Sequence, residues 1–288
     1  MSRPSSYSAF PRVTSLLRPI RSGVHRLLGE VGRVTIFVGK TFYLLPTTLR
    51  LYRHQTFKTM NSMAWGRGSL IVDGGVISLL LILGVAVGAV IAIEAYDALN
   101  LLGFGALSGI IGSFANIREM APIVTGIGFA AQAGCRMTAE IGAMRISEEI
   151  DATEALGLRA IPFVVGTRLV GGMLCVVPGY LLALVVSFLT GATIIKTFHG
   201  EAPGTYDHYF SQFISATDVG YSLLKAVTFC AVVTLIHCYY GYFASGGPAG
   251  VGLASGRAIR ASLVAIVVMN FVLSILLWGF SPSMVFKG

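Results

Sequence analysis

Five long runs of apolar residues constrain this chain more than any other feature of its sequence. Each run, alone or with its flanks, is long enough to cross the ~30 Å hydrocarbon core of a bilayer as a helix. Only 12% of the residues are charged, whereas soluble domains carry about 25%. The sequence therefore predicts an all-α integral membrane protein with five transmembrane helices. The runs are residues 75–93, 101–117 continuing into 120–135, 169–195, 226–256 and 261–286.

Residues 1–67 are predicted to form a basic cytoplasmic segment, and residues 68–288 a membrane domain. The first segment contains eleven of the 21 Lys and Arg residues and one acid, Glu30. Because this charge flanks membrane spans, the positive-inside rule and anionic lipid headgroups explain it better than nucleic-acid binding. Apolar residues at helical spacing predict an amphipathic helix in the membrane interface. They are Leu27, Val31, Val34, Phe37, Val38, Phe42 and Leu45.

The connecting segments alternate in charge along the chain. The connection after the second run contains Arg145, Arg159 and Arg168, whereas residues 193–218 carry more acids than bases. The glycine-rich segment 245–257, with Arg260 beyond it, is predicted as a loop on the basic side. Basic loops favour the cytoplasmic side, so the N-terminus is expected inside and the C-terminus outside the membrane. The second run would be ~66 Å long through residue 144 if fully helical. Pro122 is the expected break in it.

Charged residues interrupt this second run, although lipid tolerates each charge only at a cost of roughly 2.5–3.5 kcal/mol. Arg118 and Glu119 are adjacent, so their side chains point about 100° apart on a helix. They lie either at the outer membrane boundary or in a polar patch of a cavity. Arg136 and Glu140 are four residues apart and are expected to neutralise each other as an ion pair.

Small residues recur every four positions after Pro122. Such a face lets a second helix approach closely. The predicted packing positions are Gly126, Ala130, Gly134, Thr138 and Gly142.

The acidic segment 147–156 predicts a short amphipathic helix in a cytoplasmic loop. Ser147 is a plausible N-cap, and Glu148 and Glu149 would lie in the first turn, where the helix dipole favours acids. Gly157 can close the helix at its C-terminus. The segment is either a solvated linker or a docking element for a soluble partner.

The sequence shows no catalytic or metal-binding constellation. The five His residues lack ligand spacing. Gly39-Lys40-Thr41 ends like a phosphate-binding loop, but Val34 stands where that motif requires glycine. We therefore expect no catalytic residue, no metal, no bound cofactor and no ATPase site in this chain.

Two stretches resemble the MlaE/YrbE permease family. The first has Arg118-Glu119 with Pro122 three residues later, followed by AEIGAMRISEEIDA at 139–152. The second is the segment 225–252, with its HCYYGY run and glycine-rich end. GTYDHYF at 204–210 and the basic N-terminus are similar to B-type YrbE subunits of actinobacterial Mce systems. Asn270 departs from the pattern, because many members have Asp there.

The resemblance implies a fold and a role. The fold is an N-terminal interfacial helix, five transmembrane helices and a cytoplasmic coupling helix. The role is the permease subunit of an ABC-type, Mce- or Mla-like lipid transporter in the bacterial cytoplasmic membrane. The implied partners are a paralogous A-type YrbE permease, two copies of a cytoplasmic ATPase that uses ATP and Mg²⁺, and periplasmic MCE-domain proteins. The implied cargo is a hydrophobic lipid, of the fatty acid or sterol class as in Mce systems or a phospholipid as in Mla.

The family pattern also implies roles for particular residues. Arg118 and Glu119 match an Arg-Glu pair at the lipid cavity, and Lys225 matches a basic position near it. The ATPase-coupling segment would comprise Arg145, Glu148, Glu149, Asp151 and Glu154. Two other functions remain open: an integral-membrane lipid-modifying enzyme, and a structural anchor for a periplasmic MCE assembly.

Overall fold

The computed structural model describes residues 12–66 and 74–279. Within these ranges the regular structure is helical, apart from an isolated antiparallel bridge between Gly66 and Gly74. The all-α prediction is therefore confirmed. Predictions that concern residues 1–11, Arg67 and the end of the fifth run with Lys287 lie outside the described residues.

The chain divides into two compact units, one ending at Tyr43 and the other beginning at Leu44. The first contains α1 (Arg12–Tyr43), which covers most of the predicted amphipathic segment. Its placement in the membrane interface stays a prediction. The second unit begins with two shorter helices, α2 (Leu45–Leu51) and α3 (Arg53–Trp65).

The first apolar run forms α4 (Val76–Asn100). The second run follows a short 3₁₀ turn and is helical throughout, but in pieces. These are α5 (Ser108–Ala115), a π-helical segment Asn116–Met120, α6 (Ala121–Phe129), a second π-helical segment Ala130–Gly134, and α7 (Cys135–Ile146).

The predicted break at Pro122 is a local widening of the helix. The N–H of Ala121 bonds the carbonyl of Asn116 five residues back, and α6 continues directly from there. A π-helical turn adds room in the backbone where a proline ring would otherwise meet the carbonyl four residues earlier. The second span therefore stays helical across its proline.

The remaining helices follow in the order acidic helix, third span, short helix, fourth span and fifth span. Four helical stretches in the described part are long and apolar enough to cross a membrane: Val76–Asn100, Ile161–Phe198, Ala216–Tyr242 and Gly247–Trp278. The segmented second span completes the five predicted spans. The elements are α8 (Glu149–Ala155), α9 (Thr167–Phe198) after a π-helical segment Ile161–Gly166, α10 (Pro203–Gln212), α11 (Ala216–Tyr242) and α12 (Gly247–Trp278).

The predicted start of the acidic helix differs from the structure, whereas its predicted end agrees. Ser147 is not the N-cap of the acidic helix, because it ends α7 and its hydroxyl donates to the Ala143 carbonyl at 3.0 Å. Glu148, in the left-handed region at φ 58°, precedes α8 instead. Gly157 follows the helix end with φ 79°, as predicted for a C-terminal glycine.

The segment 245–257, predicted as a loop, is helical from Gly247 onward. Pro248 in the first turn suits a helix start, and Gly246 at φ 91° makes the turn into it. The fourth span accordingly ends at Tyr242, well before residue 256. The loop 193–218 also contains a helix, α10, that the charge pattern did not predict.

Glycines let the first and third spans meet backbone to backbone. A Cβ on Gly84 would lie 2.5 Å from the Ala183 carbonyl oxygen, and one on Gly88 only 2.2 Å from that of Ser187. Any larger residue would push α4 away from α9 at these points. The spacing of Gly84 and Gly88 is the GxxxG pattern of closely packed membrane helices.

The predicted small-residue stripe of the second span lies against α11 and α12. A Cβ on Gly126 would lie 3.2 Å from Phe229, one on Gly134 2.7 Å from the His237 ring, and one on Gly142 2.8 Å from Val251. Ala130 and Thr138 are fully buried. The second span thus has one face in contact with the last two spans. This contact brings Arg118 and Glu119 of the second span close to α11 and α12.

Candidate functional site

Lys225, in the middle of α11, is fully buried at 0% exposure. Lysine is almost never fully buried unless it is paired. Its ammonium donates to the Arg118 carbonyl at 2.8 Å, to Ser274 Oγ at 2.7 Å and to Glu119 Oε2 at 3.2 Å. Three donors thus meet three acceptors, which an ammonium requires away from water.

Pro122 explains why a backbone carbonyl is available to this lysine. Proline has no N–H, so neither Arg118 four residues earlier nor Ile117 five residues earlier can receive a helical hydrogen bond from residue 122. Lys225 donates to the first of these carbonyls and the Ser222 hydroxyl to the second. Two side chains of α11 therefore bond the second span where its proline leaves carbonyls without that donor.

Glu119 is the part of the cluster that reaches the surface. Its Oε2 also accepts a hydrogen bond from Asn270 Nδ2 at 2.7 Å, and its Oε1 accepts one from Ser274 Oγ at 2.6 Å. The Glu119 side chain is nevertheless 41% exposed, while that of Lys225 is 0% exposed. We name Glu119, Lys225, Asn270 and Ser274 the polar cluster.

Arg118 faces a different set of partners from its neighbour. Its guanidinium pairs with Asp218 at 3.2 Å and lies 4.0 Å from the Phe114 ring centroid and 5.2 Å from that of Trp278. The Trp278 indole donates to the same Asp218 carboxylate. Arg118 and Asp218 are both largely buried, at 15% and 17% exposure. The aromatic rings and the carboxylate together hold Arg118 beside the polar cluster.

The structure brings the three residues assigned to the lipid path into one region. Glu119 contacts Lys225 through its carboxylate, and Arg118 contacts Lys225 through its backbone carbonyl.

Four further residues of this region had no role predicted from the sequence: Asp218, Ser222, Ser274 and Trp278. A helical-spacing signal was present, because polar or aromatic residues recur on one face of α11 and of α12. These are Asp218, Ser222 and Lys225 on the first helix and Asn270, Ser274 and Trp278 on the second.

Two polar atoms beside the cluster remain without a hydrogen-bond partner in the described residues. They are Asn270 Oδ1 and Arg118 Nε, both buried. Buried polar groups are usually paired, so these atoms leave capacity for a further polar group. Within residues 12–66 and 74–279, no set of three or more His, Cys, Asp or Glu could hold a metal ion.

The acidic helix α8 is fixed at one side and exposed at the other. Ile150 is fully buried, Asp151 accepts a hydrogen bond from Arg145 at 2.6 Å, and Glu154 bonds the Tyr242 hydroxyl. Glu148 and Glu149 are exposed. The helix therefore presents Glu148 and Glu149, which have no ion-pair partner among the described residues, on an anchored support.

The predicted Arg136–Glu140 pair is present, at 2.8 Å, but it is not isolated. Glu140 also pairs with Arg168 at 3.2 Å, and Arg136 donates to Ser62 Oγ at 2.9 Å. The pair therefore ties the second span to the third span and to α3.

Long apolar helices with a charge cluster buried among them define a multi-pass α-helical membrane protein with a polar site inside its bundle. The family model described as Permease MlaE matches residues 68–276. The chain belongs to this family of ABC transporter permeases.

Individual relatives agree with the family match. A probable ABC transporter permease of Synechocystis is 31% identical over 80% of this chain and 84% of its own length. The intermembrane phospholipid transport system permease MlaE of Haemophilus influenzae is 26% identical over 71% of this chain and 80% of its own. The chloroplastic protein trigalactosyldiacylglycerol 1 of Arabidopsis thaliana is 27% identical, over 65% and 54%.

Proposed function

We propose that this chain is the lipid-translocating permease subunit of an ABC-type transporter and that the polar cluster lies on the lipid path. The observation that carries the proposal is the pairing of a fully buried Lys225 with a Glu119 that is 41% exposed. A charged group held from inside the bundle and open on one side can meet the polar end of a lipid. Ion pairs inside membrane bundles commonly mark such pathways.

The surface around the cluster suits an amphipathic ligand. Helix α12 contributes Asn270 and Ser274 to the cluster and is 11% buried over its apolar window, against 39–50% for the other long spans. Its exposed face is apolar beside the cluster. The exposed residues are Val264, Val267, Val268, Phe271, Val272 and Leu276. A second permease subunit, here an A-type paralogue, would cover this face and enclose a cavity between the two copies.

The cargo we propose is a hydrophobic lipid of the fatty acid or sterol class, following the likeness to B-type YrbE subunits. The name of the Haemophilus relative, a phospholipid transport permease, supports lipid transport in general. Asn270 is neutral where many family members have Asp, so the cluster carries one negative charge less than theirs. A less charged cluster suits a lipid with a small polar end.

The energy for transport would come from ATP and Mg²⁺ at a separate ATPase, which we propose binds α8. The exposed Glu148 and Glu149 offer charge for a basic docking groove, while Arg145 holds Asp151 and so fixes the helix orientation. Two ATPase copies, one for each permease, would rock the subunits through these helices. MCE-domain proteins would bind at the opposite, periplasmic end of the bundle.

The lipid path can be tested with Glu119→Gln in the transporter reconstituted with its ATPase. The substitution removes a charge and leaves the fully buried Lys225 without its ionic partner. Because Glu119 is 41% exposed, the cost lies at or below the lower end of the roughly 2–5 kcal/mol of fully buried pairs. We expect ATP-dependent lipid transfer between vesicles to fall at least about tenfold, since about 1.4 kcal/mol corresponds to a factor of ten.

Glu94→Gln is the matched control, because it makes the same chemical change at an exposed acid of α4. Co-purification of the ATPase reports whether each variant is folded and assembled. If the assembled Glu119→Gln transporter moves lipid at the rate of the control, the cluster is not on the path. That result would favour a structural anchor.

A further inference from the structure

A polar cavity of about 200 Å³ lies among α3, the start of α4, α7 and the start of α9. Among the described residues, its charged lining consists of Lys58, Arg136, Arg168 and Glu140. Three cations therefore face one carboxylate. The cavity is far larger than the roughly 10–15 Å³ of probe volume that a single water needs, so it can admit a polar group with several oxygen atoms.

Among the described residues, one carboxylate does not neutralise the three cations that line this cavity. Glu140 is shared by two guanidiniums, with Arg136 at 2.8 Å and Arg168 at 3.2 Å. The buried Nε of Arg168 has no hydrogen-bond partner in the described part of the chain. Lys58 lines the same cavity and is exposed. The excess positive charge and the free donor favour an anion with acceptor oxygens, such as a phosphate group.

An apolar cleft of about 260 Å³ adjoins this cavity, because Gly74 and Gly75 line both. The cleft is lined mainly by Trp65, Ile77 and Leu81, along the first turns of α4. The end of α3 packs tightly here, since a Cβ on Gly75 would lie 1.9 Å from the Ala64 carbonyl oxygen. A cationic pocket and an apolar cleft are thus joined side by side where a membrane span begins.

We propose that these two cavities form a binding site for an anionic phospholipid. The phosphate-bearing headgroup would occupy the pocket of Lys58, Arg136 and Arg168, and an acyl chain would follow the cleft of Trp65 and Leu81 along α4. A free phosphate would use only the first cavity, so the adjoining cleft favours a lipid.

This site is separate from the proposed transport path. Neither cavity is lined by Glu119 or Lys225. It lies at the end of the bundle where α7 leads into α8, and Arg168 begins the span that follows. A lipid bound here would join α3 to the spans α4, α7 and α9 at that end.

The test uses Trp65 as a reporter, because the chain has only two tryptophans. Trp278→Phe in the full-length chain leaves Trp65 alone. In phosphatidylcholine nanodiscs doped with brominated phosphatidylglycerol, we expect stronger quenching of Trp65 than with the same amount of brominated phosphatidylcholine. Lys58→Glu should weaken that preference about fivefold or more, because each Lys or Arg near an anionic lipid surface contributes on the order of a fivefold change in binding.

Arg53→Glu is the matched control. It makes the same kind of charge reversal on the same helix, at an exposed residue that lines neither cavity. Equal loss of preference in both variants would show general attraction to a basic surface and overturn the site. Quenching that is equal for the two brominated lipids in the parent chain would also overturn it.

Two further measurements complete the test. The first avoids the Trp278→Phe substitution, and the second distinguishes a bound lipid from a free phosphate ion. Native mass spectrometry of the chain with both tryptophans should show retained phosphatidylglycerol that Lys58→Glu loses and Arg53→Glu keeps. Inorganic phosphate added at millimolar concentration should leave the phosphatidylglycerol preference unchanged. Displacement by phosphate would assign the pocket to a free anion and contradict the lipid. Neither quenching nor retained phosphatidylglycerol depends on lipid transport by the Glu119→Gln variant. Failure of the proposed lipid path would therefore leave the phospholipid site testable, and the reverse also holds.

Discussion

At the scale of single residues, the interior of the bundle is held by polar contacts that each have one clear physical cause. Pro122 has no N–H to donate to the carbonyls of Ile117 and Arg118, and Ser222 and Lys225 donate to them instead. His237 is similarly fixed, with Nδ1 at 2.8 Å from Thr138 Oγ1 and Nε2 at 3.3 Å from Ser262 Oγ. A buried polar group that lost such a partner would cost about 1–3 kcal/mol. These contacts therefore select one register between the second span and the last two.

The fixed His237 ring makes Gly134→Ala a direct test of that register. The added methyl would lie 2.7 Å from the ring, and the ring cannot turn aside without losing Thr138 or Ser262. Overpacking of this kind typically destabilises by about 1–3 kcal/mol. Reversible unfolding in mixed micelles would measure the loss.

Gly256→Ala serves as the control, because no atom lies within 4 Å of its added Cβ and the site is helical. Alanine there should be neutral or stabilise by up to about 1 kcal/mol. Equal stabilities for the two variants would contradict the close contact between Gly134 and His237.

At the scale of elements, regular α-helix is interrupted at the two places where a function is proposed: the lipid path and the ATPase-binding helix α8. The π-helical segment Asn116–Met120 contains both Arg118, which pairs with Asp218, and Glu119, which pairs with Lys225. The short α8 is separated from α7 by Glu148 in the left-handed region. A short helix set off by such a turn can carry docking residues without belonging to a span.

Glu149→Lys tests α8 as the ATPase-binding element. Glu149 is exposed, and its side chain has no partner in the described structure, while its backbone carbonyl accepts from the Thr153 hydroxyl whatever the side chain. Reversal of the side-chain charge should therefore leave the fold intact. Like charges facing each other across an interface cost several kcal/mol, and we expect ATPase co-purification to fall at least about tenfold.

Glu94→Lys reverses an equally exposed acid on α4 and should leave the ATPase bound. Undiminished ATPase binding and stimulation in the Glu149→Lys protein would remove α8 from the coupling mechanism and restore the linker interpretation.

At the scale of the whole molecule, the order of basic and acidic connections predicts that α8 and α10 lie on opposite sides of the membrane. One span, α9, lies between them in the chain, and Lys196 pairs with Asp207 at the end that includes α10. The native cysteines interfere little with labelling, because Cys175, Cys230 and Cys238 are buried.

A labelling experiment in a Cys135→Ala background tests this orientation. Ser147→Cys and His208→Cys each place a thiol at an exposed position. We expect an impermeant maleimide to label the first only in inside-out vesicles and the second only in intact spheroplasts. Labelling of both from the same side would overturn the predicted topology.

Much of the fold followed from local properties of the chain. Apolar run length predicted the spans, and glycine spacing after Pro122 predicted a face for helix contact. The Ser147 cap and the loop at 245–257 were wrong because helix ends depend on which neighbour satisfies the last backbone groups. Gly246 and Glu148 take left-handed conformations that composition does not specify.

The sequence by itself determined that the chain is helical, spans a membrane and carries charge at Arg118 and Glu119 beside its apolar runs, because hydropathy and charge are local quantities. Only the tertiary structure decided which charges meet. Glu119 pairs with Lys225 and Arg118 with Asp218 because α11 and α12 lie against the π-helical turn at Pro122. Packing of α9 against α7 joined Glu140 to Arg168, and these two helices form the cationic cavity together with α3 and the start of α4. Partners separated by about a hundred residues in the chain are set by helix packing, which a single sequence does not display.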